Sequence, residues 1–171
     1  DPAYYDPADP DALLAFDTGP ANAPMNDLMM QRQGVGYDKD GALAAKGKID
    51  TTILDRFSDH PYFARPAPKS LDRDAFSDLV RDVSGLADAD ALATLVQAVV
   101  QSVVQAVQHC RIAPSQLLVS GGGRHNKTVM TGLAQALDCD VKPVEDVGLD
   151  GDMLEAQAFG YLAVRAARGL P

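Results

Sequence analysis

The chain has 171 residues, 46% of them apolar and 23% charged, a composition that excludes intrinsic disorder and suits one domain burying about two-thirds of the surface of its unfolded form. Fifteen Lys and Arg against 24 Asp and Glu leave a formal charge of -9. That excludes a general nucleic-acid or anionic-membrane surface, while a local basic pocket for a phosphate stays open.

The first ten residues contain three prolines and no initiator Met, and the chain then enters Leu13-Leu14-Ala15-Phe16. A continuous apolar run bounded by turn residues predicts a short strand covered on both faces. So abrupt an opening predicts a piece of a larger protein, with residues 1–12 a linker or a cut edge. Asp17–Asn22 reads as a tight loop, followed by a helix over 25–33 closed by Gly34 and Gly36. Residues 37–48 are polar and small, which predicts a surface excursion before a short helix at 51–58. Three prolines within His60–Pro68 bias their preceding residues away from helix, so that segment is irregular; 74–83 is helical.

Leu92, Leu95, Val96, Val99, Val100, Val103, Val104 and Val107 recur at alternating steps of three and one, with Gln97, Gln101, Gln105 and Gln108 opposite. This is the stripe of a long helix, with Asp88 or Asp90 as its cap. Valine is a poor helix former, so burial must hold it. The last third alternates: a strand at 116–120, a turn at Gly121–Gly123, a helix at 126–137, a strand at 140–144 and a helix over 152–168. That order predicts a parallel βαβ unit and an α/β class. Uninterrupted apolar stretches stay far below the ~18 residues of a membrane span, and no secretory pattern precedes them. The expectation is a soluble, cytoplasmic protein.

Three consecutive glycines between strand and helix let a backbone approach a ligand and leave amide N–H groups at the positive helix end. This suits a nucleotide but matches neither GxGxxG nor the P-loop, and a plain tight turn explains it equally. Asp17 follows a strand at the end where α/β folds keep ligands; it reads either as a general base or as an Asx-turn over Thr18 and Gly19. Glu155, beside Asp150 and Asp152, complements a helix dipole. Lys69 and Arg73 can reach a phosphate, although exposed basic residues are usually solvated. His60, His109 and His125 have no metal-ligand spacing, and Cys110 and Cys139 read as small apolar residues.

Several segments stand in a fixed order: Phe16-Asp-Thr-Gly-Pro-Ala-Asn22, Tyr37-Asp-Lys-Asp-Gly41, Pro61-Tyr-Phe63, Pro66-Ala-Pro-Lys-Ser70 and Val119-Ser-Gly-Gly-Gly-Arg-His-Asn126. Gly148-Leu-Asp-Gly-Asp-Met-Leu-Glu-Ala156 and Ala158-Phe-Gly-Tyr-Leu-Ala163 complete the set. Together they resemble the C-terminal half of the anhydro-N-acetylmuramic acid kinases of bacterial cell-wall recycling, over residues 13–171. The resemblance implies an actin/hexokinase-like (ribonuclease H-like) lobe, a mixed sheet flanked by helices, as the C-terminal lobe of a two-lobed sugar kinase. ATP and the amino sugar would lie between the lobes. Water would open the 1,6-anhydro ring and the freed 6-oxygen would take the γ-phosphoryl group, with Mg²⁺ neutralising charge.

By motif, Asp17 matches the catalytic base, needed because water is a poor nucleophile. Asp17, Gly19, Asn22 and Glu155 match sugar-binding positions, and Gly121, Gly122, Gly123 and Asn126 match the segment around the adenosine end. No protein metal ligand is implied, and a homodimer is left open. The sequence departs from the family where Leu71-Asp72 replaces a usual Thr-Gly and Ala21 replaces a common Gly. The family's glycine-rich phosphate hairpin precedes the segment matched here, so the piece alone is expected to be inactive. The other readings are a non-catalytic sugar- or nucleotide-binding module of the same superfamily, and a nucleotide-binding domain acting on another sugar.

Overall fold

The computed structural model describes residues 4–6 and 9–170, with side chains from residue 14 onward apart from 73 and 74. Its opening is a hairpin: β1 (Tyr4–Asp6) pairs antiparallel with β2 (Asp9–Leu14), Tyr4 opposite Leu14. The strand expected over 13–16 therefore ends at Leu14, opposite Tyr4. Ala15 is exposed and Phe16 buried, and the Asp17 N–H bonds the Lys69 carbonyl at 3.0 Å instead of a strand.

Helix α1 (Ala23–Gln33) ends in a left-handed Gly34, as expected. The 37–48 segment is less of an excursion than its polarity suggests. It makes two 3₁₀ turns, buries Gly41 and Ala44, and accepts the Thr128 hydroxyl at the Gly41 carbonyl, 2.7 Å away. The Asp38 carboxylate holds the turn by accepting the Leu43 and Ala44 N–H groups at 2.9 Å. Helix α2 (Thr51–Ser58) is capped by Asp50 on the Ile53 N–H and buries Ile53, Leu54 and Phe57. The helix expected over 74–83 shrinks to α3 (Ser77–Asp82), with 3₁₀ turns on either side. The break falls at Phe76, whose non-helical backbone lets its buried ring stack on Phe63, centroids 5.7 Å apart.

Helix α4 (Asp88–Val107) is the spine. By length and composition it could pass for a membrane span, but 61% of its apolar 18-residue stretch is buried inside the fold against α1, α2 and α5 (Lys127–Ala136). Burial extends beyond the expected stripe, to Ala91, Ala93, Thr94, Ala98, Ser102 and Ala106. Neither expected aspartate caps it; Ala87 holds that place without a side-chain bond. Tertiary donors have taken both carboxylates: Arg32 bonds Asp88 at 2.9 Å, and the Lys48 N–H bonds Asp90 at 2.7 Å. Arg32 also donates to the carbonyls of Val83, Ser84 and Leu86, tying the end of α1 to the turn before α4.

The predicted βαβ unit is present. Strands β3 (Gln116–Val119) and β4 (Asp140–Pro143) pair in parallel, Gln116 opposite Asp140, with α5 between them. The described residues form two separate two-stranded sheets, not one mixed sheet, so the class is a helix-rich α/β fold. Helix α6 (Leu154–Ala167) comes last and buries none of its residues.

Candidate functional site

The Asp17 loop is held from every side. Phe16 is buried edge-on to His109, centroids 5.7 Å apart. Gly19 presses so closely on α4 that a Cβ there would lie 2.5 Å from the Ser102 Cβ, which only glycine permits. Asp17 itself is half-buried. Its Oδ2 accepts the Leu71 N–H at 2.6 Å and its carbonyl accepts the Tyr62 hydroxyl at 2.5 Å. The carboxylate therefore does not close an Asx-turn over Thr18 and Gly19; it reaches the 62–71 segment, and no described residue bonds Oδ1.

Lys69 proves to be the opposite of a solvated cation. It is 7% exposed, and its Nζ donates to the carbonyls of Tyr62 and Phe63 at 3.1 and 3.3 Å and lies 3.2 Å from His109 Nε2. An ammonium has three donors and no acceptor, so these contacts use all three and leave none for a phosphate. Burial, with the nearby Arg65 charge adding to it, lowers its pKa. The Arg73 side chain lies outside the described residues.

Asn22 occupies the cap position of α1 but makes no capping bond; an added Cβ at Gly122 would lie 3.8 Å from its Nδ2. The fold thus brings the 17–22 loop and the glycine turn together. A cleft opens there between Asn22, Met25, Tyr37, Asp40, His125 and Asn126. Gly121 takes a left-handed φ of 68° to start the turn. Asn126 caps α5, its Oδ1 accepting the Thr128 and Val129 N–H groups at 3.1 Å.

Sequence reasoning missed Arg124, the organiser of this turn. Its buried guanidinium bonds the Gly121 carbonyl, Glu145 and Asp152 at 2.7–2.8 Å, and the Gly121 N–H reaches the Gly151 carbonyl at 3.2 Å. A hydrogen bond from its own main chain, then those from Arg124 and Gly151, hold the Glu145 carboxyl below its usual range against desolvation. The signal in sequence was an arginine directly after the glycines with acidic residues downstream, a pattern too common to single out. Glu155 is exposed in the first turn of α6 without an ion pair to any described residue; nothing described joins it to Asp17. Burial raises the thiol pKa of Cys110 and Cys139, in keeping with inert thiols.

A family model described as anhydro-N-acetylmuramic acid kinase matches residues 7–171. The chain belongs to that family. It is 57% identical over 171 residues to an anhydro-N-acetylmuramic acid kinase of Roseobacter denitrificans and 56% identical over 171 to one of a Ruegeria species. A third, from Rhodospirillum rubrum, is 54% identical over 158 residues. These matches take in 100%, 100% and 92% of this chain but 45%, 46% and 42% of the relatives. The chain thus spans less than half the length of the kinases it is similar to.

Proposed function

We propose that the polypeptide carrying this chain is a cytoplasmic, ATP-dependent kinase of 1,6-anhydro-N-acetylmuramic acid, and that residues 13–171 are the C-terminal lobe of its two lobes, of the actin/hexokinase-like superfamily. The supporting observation is family membership combined with a fixed Asp17 whose Oδ1 is unbonded by described residues. Asp17 takes a proton from water as the water oxygen bonds to the anomeric carbon. The bond from that carbon to the 6-oxygen breaks, and the 6-oxygen accepts the γ-phosphoryl group, giving N-acetylmuramic acid 6-phosphate and ADP. Gly19, Asn22 and Glu155 line the sugar side. Gly121–Gly123 and Asn126 hold the adenosine end, a reading supported by the closeness of Gly122 to Asn22, where an added Cβ would lie 3.8 Å from the Asn22 Nδ2.

Magnesium accompanies ATP in such transfers. Among the described residues no group of three or more His, Cys, Asp or Glu could hold a metal ion, so the ion would enter with the nucleotide. Transfer would rest on positioning, with the nucleotide's Mg²⁺ neutralising charge.

The test is product analysis on the intact polypeptide with the anhydro sugar, ATP and ¹⁸O-labelled water. Label at the anomeric hydroxyl with phosphate on the 6-oxygen is expected. Asp17→Asn should lower kcat by ~10²- to 10⁴-fold, the contribution of a positioned base, while sugar binding by calorimetry persists. Normal turnover by that variant would remove Asp17 from the mechanism and favour a binding module.

A further inference from the structure

Three hydrogen bonds fix Asp17, and all three come from the 62–71 segment: Lys69 through its carbonyl, Leu71 through its N–H and Tyr62 through its phenol. That segment has no regular secondary structure before the 3₁₀ turn at Arg73, so no ladder stiffens it. Side chains do so instead. The Tyr62 ring is 3% exposed and meets Phe63 and Phe76 edge-on at 6.0 and 6.2 Å. The Lys69 Nζ lies 4.6 Å over its centroid while bonding the carbonyls of Tyr62 and Phe63.

In that assembly the Lys69 and Leu71 bonds to Asp17 are main-chain bonds, available to any residue but proline at position 71. Among the described residues, the phenolic O–H of Tyr62 is the one side-chain group that bonds Asp17. Packing does not require it, since phenylalanine would fill the same aromatic cluster. Burial and the Asp17 charge both raise the phenol's pKa, which keeps it a donor. Its acceptor is the main-chain carbonyl of Asp17, so it sets the peptide plane from which the carboxylate projects.

We propose that Tyr62 is a positioning residue for the hydrolytic step, acting through Asp17; the inference rests on Asp17 being the base. A displacement of about 1 Å in a reacting group costs up to ~100-fold in rate, and kcat is where such a loss appears.

The experiment is steady-state kinetics on the intact polypeptide for Tyr62→Phe, Asp17→Asn and the double variant. Tyr62→Phe keeps the ring and the lysine above it. Its kcat should fall about tenfold or more, with KM for sugar and ATP within about twofold and the melting temperature nearly unchanged. In the Asp17→Asn background the same change should cost nothing further. A kcat within twofold of wild type, a loss appearing in KM alone, or an equal loss in both backgrounds would overturn the proposal. Full activity of Asp17→Asn alone would instead overturn the assignment of the base.

Discussion

Ala21 has a φ of 45°, in the left-handed region that costs a residue with a Cβ about 1–3 kcal/mol. It stands where the resemblance places a glycine, in the loop between Asp17 and α1. Ala21→Gly removes the strain and returns part of the gain as unfolded-chain entropy, about 0.4–1 kcal/mol. The net expectation is a stabilisation of about 1 kcal/mol, or a melting temperature higher by roughly 2–4 °C, read by calorimetry. A fall would mean that the loop draws on something besides backbone geometry. The same scale exposes what a sequence withholds. The loop at 17–22 and the glycine triplet were legible as turns, because glycine, proline and asparagine punctuate the chain after apolar runs; their proposed ligand roles rest on the resemblance. The burial of Lys69 was not, because a lysine beside three prolines looks solvated until Tyr62, Phe63 and His109 are folded around it. Arg124 was hidden for the same reason, since its partners Glu145 and Asp152 lie 21 and 28 residues on.

Among the elements, those with strong local signals were read well. Helix α2 has its Asp50 cap and amphipathic face, and the β3–α5–β4 unit has its glycine turn. Elements decided by tertiary contacts were read less well. The β1–β2 hairpin pairs proline-flanked residues, α3 is interrupted by the stacking of Phe76, and the aspartates of α4 are claimed by Arg32 and Lys48. At α5 the two kinds of role meet in one residue, because Asn126 caps the helix and lines the cleft. Two substitutions separate the roles. Asn126→Asp retains the capping oxygen, so stability should hold, but it replaces an amide donor by a negative charge beside the proposed nucleotide; KM for ATP should rise about tenfold or more, from one lost charge-sensitive contact. Asn126→Ala should lower stability by about 1 kcal/mol. An aspartate variant with unchanged KM would leave Asn126 a cap and nothing else.

On the scale of the molecule, the two ends of the fold are unlike. Its interior is built on α4, whose Leu92, Ala91 and Thr94 are wholly buried, whereas α6 buries nothing and leaves Phe159 64% and Leu162 56% exposed, with Tyr161 and Val164 similar. Scattered apolar residues on a surface are ordinary; a cluster along one helix marks a contact surface. The chain spans 45% of its Roseobacter relative, so a second lobe of the kind proposed is one candidate to cover this helix. Replacing Phe159 and Leu162 by alanine in the intact polypeptide tests this, because alanine preserves helix propensity and removes only the apolar surface. Buried under a second lobe, the pair should cost about 2–5 kcal/mol each, seen as a lower denaturation midpoint and weakened sugar binding. Left in solvent, each change should stay within about 0.5 kcal/mol, and α6 would then have to face something other than its own polypeptide.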